Sequence, residues 1–229
     1  MEKRRLVVLV YEPKRFRQVL DRLKKRRIPF SIPDDIKDIK PGDVVYTDDP
    51  RIAMELMEKG VLVFLDDKGS DSVLEKAILS LKFKNEYNEL TVGVDPGDRF
   101  VVVVLADGSI VDFNISYSIE EALDYIRWVL KVFPAKKKII KIGGGVGGIA
   151  FLDKLCKSLG LVVKETRTKI MVVDEGNSTP KTRWRNPFIE RIISVIPDSI
   201  PYRKDLYAAT AIALKQGVLV EDSDEDKPS

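Results

Sequence analysis

Along residues 1–83 the apolar and polar positions follow a strand-then-helix rhythm. Residues 6–10 (LVVLV) are a short β-rich run closed by Glu12-Pro13. Phe16, Val19, Leu20 and Leu23 then recur at helical spacing, with Lys and Arg on the other face. Residues 43–47 and 61–65 are two more strand-sized runs, each ending in paired aspartates, Asp48-Asp49 and Asp66-Asp67. Ala53, Leu56 and Met57 follow the first pair, and Leu74, Ile78 and Leu81 follow the second, again at helical spacing. Such alternation predicts a small parallel β/α domain over 1–83. Capping and turn chemistry suit these positions better than a metal site: Asp49-Pro50 reads as an N-cap followed by proline at the first helical position, and Asp67 to Asp71 as turn and cap.

The polar stretch 82–89 (KFKNEYNE) carries no strand pattern and marks the expected boundary. Beyond it the rhythm changes. Three apolar runs, 90–94, 100–105 and 110–115, are joined by turns too short for anything but antiparallel neighbours. Ser118 and Glu121 form a capping-box pattern ahead of the helical face Leu123, Ile126, Leu130 and Phe133, which Pro134 stops. Residues 138–142 form a fourth strand leading into GGGVGG. A helix is expected over 149–159, ended by Gly160, with strand segments at 161–163 and 170–173. A basic, proline-interrupted stretch runs from 180 to 202, and 205–216 reads as a last helix. The expectation for 84–217 is therefore an α/β mixed sheet in β-β-β-α-β-α-β-α order, antiparallel at its start and parallel at its finish. Residues 218–229 read as an acidic disordered tail.

Composition narrows the chemistry. The chain has 229 residues, one cysteine (Cys156) and no histidine. This excludes an internal disulfide, a cysteine zinc cage, the Ser-His-Asp triad, the Cys-His dyad and HExxH metalloproteases. Carboxylates, a lysine or a cofactor must carry any reaction. Net charge is +3, but the tail EDSDEDKPS carries five acids and one Lys, so the body is near +7. Residues 1–30 alone hold eleven basic residues against three acids, which predicts salt-sensitive, nonspecific nucleic-acid affinity from the first helix. Abundant Lys, Arg and Glu also fit a heat-stable protein. The sequence shows neither a signal-peptide pattern at its start nor an apolar run of bilayer length, so a cytoplasmic location with no membrane partner is expected.

Three acids stand out by position. Asp95 ends an apolar strand ahead of a Pro-Gly turn, Glu175 follows the strand at 170–173, and Asp205 opens a helix of small residues, DLYAATAIAL. Carboxylates from distant points of the chain, gathered at one sheet edge, would make a hard oxygen site for Mg²⁺ or Mn²⁺. Each acid alone could equally serve a turn, a solvated loop or a cap.

VGVDPGDR, VVDEGNSTPKTR and DLYAATAIAL, in that order, resemble the three motifs of the RuvC/YqgF branch of the ribonuclease H-like nucleases. The resemblance covers somewhat over half the chain. It implies divalent-metal-dependent hydrolysis of nucleic-acid phosphodiesters, with structured or branched substrates among the candidates. By position it makes Asp95, Glu175 and Asp205 the catalytic metal ligands. Two departures matter: Gly176 stands where the YqgF pattern has arginine, and Ile142-Gly143 stands where RuvC-type enzymes place an acid. Asp174 and Glu165 are alternatives to Glu175.

Lys181, Arg183, Trp184 and Arg185 interleave basic side chains with an aromatic, as phosphate and base contacts do. The partner expected is nucleic acid, DNA or RNA, and a homodimer is compatible with the sequence. Three other readings compete. In GGGVGG, Gly143, Gly145 and Gly148 satisfy the dinucleotide fingerprint, with Glu165 where a ribose-binding acid belongs. A two-lobed phosphotransferase also begins with a strand, an Asp-x-Gly turn and a hairpin. A catalytically silent binding or assembly module would keep the fold without the reaction.

Overall fold

The computed structural model describes residues 4–174, 186–194, 196 and 202–220. The chain divides into two compact units, residues 1–87 with 132–134, and residues 88–131 with 135–229.

In the first unit, β1 (Leu6–Leu9), β2 (Phe30–Ser31), β3 (Val44–Thr47) and β4 (Leu62–Leu65) form a parallel sheet in the order β2-β1-β3-β4. Side chains alternate across it, as the pleat requires. Leu6, Val8, Val44 and Tyr46 pack on one face with α1 (Pro13–Lys25) and α3 (Asp71–Ser80), through Val19, Leu23, Leu74 and Ile78. Val7, Leu9 and Val45 pack on the other with α2 (Pro50–Glu58), through Ala53 and Leu56. With both faces covered, β1 is apolar and buried along its whole length, as strands inside parallel sheets are.

The aspartate pairs do three different jobs. Asp49 caps α2 as expected, accepting from the N–H groups of Arg51 and Ile52 with Pro50 following it. The Asp48 carboxylate instead accepts from the backbone N–H groups of Tyr11 and Glu12, tying the end of β3 to the β1–α1 turn. Asp66 is no cap. It is buried against Arg15 (2.8 Å) and hydrogen-bonded by Tyr46, while Ser70, ahead of α3, makes no side-chain capping bond.

The second unit contains β5 (Tyr87–Pro96), β6 (Phe100–Ala106), β7 (Ser109–Ser116), α4 (Ile119–Val132), β8 (Ala135–Gly143), α5 (Val146–Glu165), β9 (Lys169–Val173), α6 (Pro187–Ile193), α7 (Arg203–Leu214) and β10 (Val218–Leu219). Its sheet order is β10-β9-β8-β5-β6-β7. β5–β6 and β6–β7 are antiparallel and β8–β9 is parallel. The β6–β7 turn carries positive φ at both Asp107 and Gly108, the backbone of a tight two-residue hairpin. Phe100 stacks on Phe151 of α5 on one sheet face, and Val101, Val103 and Leu105 pack with α6 and α7 on the other.

Three sequence expectations need correction. Residues 161–163 are not a strand, because α5 runs through Gly160 to Glu165. Its buried face, Phe151, Leu155 and Leu159, keeps a four-residue spacing that holds the helix together past the glycine. The basic stretch contains a short helix, α6, capped by Asn186 with Pro187 next. Residues 218 and 219, at the start of the expected tail, pair with β9 as an antiparallel strand.

Candidate active site

The site is built on a close approach between α7 and β5. A Cβ added to Gly93 would lie 2.4 Å from the Ala209 carbonyl oxygen and 2.7 Å from the Ala213 Cβ. The absent side chain therefore lets the helix backbone settle on the strand. Two residues further along β5, Asp95 leaves the same face as Gly93. It stands opposite Val101, which packs with Leu206 of α7. One helical turn before Ala209, Asp205 sits in the first turn of α7. Sheet face and sheet edge are thus shared by Asp95 and Asp205, which lie 110 positions apart in sequence.

Asp205 has a cation on it already. Arg99, from the β5–β6 turn, places Nη1 2.9 Å from Asp205 Oδ2, and both side chains are about one-third exposed. The Arg99 guanidinium also lies 3.8 Å above the Tyr202 ring. Tyr202 precedes α7 with φ 69°, in the left-handed region that a residue of its bulk seldom occupies. Its hydroxyl meets that of Tyr117 at 3.1 Å, and this bond holds the Tyr117 hydroxyl above its usual pKa. None of these partners carries a signal in the sequence, since the pairing depends on tertiary contact.

The other end of α7 is pinned by Lys141 of β8, whose Nζ donates to the carbonyls of Ala213 (2.9 Å) and Lys215 (2.5 Å). Burial lowers the pKa of this ammonium group. Lys141 thus positions the helix that carries Asp205.

The remaining sequence candidates fall into three groups. Glu175, Lys181, Arg183, Trp184 and Arg185 lie outside the described residues. Asp174 directly follows β9, whose last residue pairs with Gly143, so it stands at the carboxyl edge of the sheet. Glu165 is overturned as an alternative ligand and as a ribose acid. It ends the 20-residue α5, about 30 Å of helix from the carboxyl edge. Among the described residues no three Asp, Glu or Cys side chains converge as a metal cluster. The two candidate acids that are described are hard oxygen donors of the type such a cation prefers, and Asp205 is already paired with positive charge.

GGGVGG is explained by packing. A Cβ on Gly148 would fall 1.8 Å from the Gly143 carbonyl oxygen, and one on Gly147 would fall 2.4 Å from that of Pro96. The first turn of α5 is pressed onto the ends of β8 and β5, where only glycine fits. The basic face of α1 is also smaller than its sequence suggests. Arg15 is buried on Asp66, Arg22 pairs with Asp71 at 2.6 Å, and Arg26 binds Glu75 at 3.1 Å. Lys14, Arg17, Lys24, Lys25 and Arg27 are the exposed ones.

No protein-family model matches the chain, and no curated protein matches it. Solved structures do. RuvC of Thermus thermophilus in complex with a Holliday junction substrate is 14% identical over 55% of this chain and 90% of its own, with a TM-score of 0.38. A second structure of that protein gives 12%, 54%, 90% and 0.36. Marinitoga piezophila Argonaute in complex with a 5′-OH guide RNA is 13% identical over 75% of this chain and 40% of its own, with a TM-score of 0.26. At these scores the fold class rests on the strand order described above. The second unit is an α/β mixed sheet of ribonuclease H-like layout, with the antiparallel start and parallel finish that the pattern of apolar runs predicted. Among the described residues no helix is long and apolar enough to cross a membrane.

Proposed function

We propose that the second unit is a divalent-metal-dependent nuclease of the RuvC/YqgF type that hydrolyses nucleic-acid phosphodiesters. The observation that carries this reading is the seating of α7 on Gly93, which puts Asp205 on the face and edge that Asp95 occupies. Asp95 and Asp205, with Glu175 as third carboxylate, would hold Mg²⁺ or Mn²⁺. Such an ion supplies charge neutralisation at the phosphate and a more acidic water. The carboxylates fix its place, Arg99 contributes a second positive charge beside Asp205, and Lys181, Arg183, Trp184 and Arg185 contact the nucleic acid. The absence of histidine suits this chemistry, because hard oxygen donors need none.

The test is cleavage of single-stranded, duplex and four-way-junction substrates, each as DNA and as RNA, with Mn²⁺ and with chelator. Metal-dependent cleavage lost in Asp95→Asn and Asp205→Asn is the expected result, and chelator-resistant cleavage would contradict it. One observation favours a second reading, a silent nucleic-acid-binding module: Asp205 is satisfied by Arg99 without any metal. No cleavage of any substrate, together with intact binding, would select it.

A further inference from the structure

We infer that Tyr117, Tyr202 and Arg99 form a stacking platform for an unpaired nucleobase beside the carboxylate edge, so that the strand engaged there is single-stranded. This deepens the nuclease reading and takes its ligand class, nucleic acid, from it.

Tyr202 has one ring face covered by the Arg99 guanidinium at 3.8 Å. Tyr117 is 67% exposed and Tyr202 37% exposed, so both rings present area to solvent while their hydroxyls are joined at 3.1 Å. The cation contact holds the Tyr202 ring and the hydroxyl bond restrains Tyr117 before any ligand arrives, so less side-chain entropy is lost on binding. Arg99 is itself held by Asp205, which links the platform to the candidate metal ligand through one side chain. Aromatic faces interleaved with cations suit a polyanion whose repeating unit carries a planar ring, which is a nucleic acid with unstacked bases. A duplex keeps its base faces covered, so it offers this platform only its ends.

The test is fluorescence anisotropy in chelator with the full chain and a labelled oligothymidylate of about a dozen nucleotides, a site size that spans such grooves. An abasic strand of equal length and a duplex serve as comparison ligands. Tyr117→Ala is expected to raise Kd for oligothymidylate roughly 5- to 150-fold, the cost of one lost stack. It should leave the abasic Kd within about twofold, and Tyr117→Phe should keep most of the oligothymidylate affinity, since its ring still stacks. Equal binding of oligothymidylate by Tyr117→Ala and the unaltered chain would overturn the platform, as would equal losses on the oligothymidylate and abasic strands. Because the assay excludes divalent ions, its outcome is independent of cleavage: a nuclease without the tyrosine effect, or the effect without cleavage, separates the two claims.

Discussion

Arg99 Nη1 donates to Asp205 Oδ2 at 2.9 Å, so the carboxylate proposed as a metal ligand carries an arginine as its counter-charge. A divalent ion and the guanidinium then compete for one oxygen pair. Arg99→Gln should tighten Mn²⁺ binding several-fold while costing the metal-free fold no more than about 1 kcal/mol, the range for a partly exposed ion pair. Calorimetric titration with Mn²⁺ reads the first effect, and a melting curve in chelator reads the second. An unchanged or weakened affinity would show that Arg99 does not oppose the ion.

Gly93→Ala tests the seating of α7. Its methyl group has no room against Ala209 and Ala213, so the helix must lift. Overpacking of this kind costs about 1–3 kcal/mol, and here backbone is the obstacle. Urea denaturation should show at least that loss, with weaker Mn²⁺ stabilisation because Asp205 moves with the helix. A neutral substitution would mean that α7 does not sit on β5 as described.

Gly160→Ala should do the opposite. The position lies inside α5, and nothing stands within 4 Å of an added Cβ. Alanine there should stabilise the chain by about 0.5–1 kcal/mol through helix propensity. A destabilisation would argue that the helix stops at the glycine after all.

How much of this was readable beforehand follows from the range of each interaction. β5 and α7 are legible because an apolar run ending in Asp-Pro-Gly and a helix of alanines are local patterns. The alternating layout of the first unit is legible for the same reason. Gly160 misleads because a glycine is a local stop signal, whereas the spacing of Phe151, Leu155 and Leu159 is satisfied only by burial against a sheet. Asp49 and Asp66 look alike in sequence, yet one caps a helix and the other is buried on Arg15, a partner 51 positions away. Gly93, Arg99 and Lys141 gain their roles from α7, which lies more than 60 positions further along the chain.

In the first unit, Asp43 predicts an acid limb of stability. Burial raises its pKa, but hydrogen bonds from Arg5 at 2.6 Å and from the Lys40 N–H outweigh that and hold it below the ordinary value. Because the folded pKa is depressed, the stabilisation is fully present above the unfolded value of 3.8 and is lost as pH falls through the folded pKa. Asp43→Asn should destabilise the chain by about 1–3 kcal/mol near neutral pH and flatten the fall in stability below about pH 4. Denaturation at several pH values checks both parts. An unaltered acid limb would remove Asp43 from the account.

The claim that Asp95 and Asp205 share one divalent ion is tested most directly by melting the full chain with and without Mn²⁺, beside Asp95→Asn and Asp205→Asn. With Mn²⁺ the unaltered chain should gain stability in proportion to RT ln(1 + [Mn²⁺]/Kd), and each variant should lose most of that gain. Equal Mn²⁺ stabilisation of all three proteins would contradict the shared site.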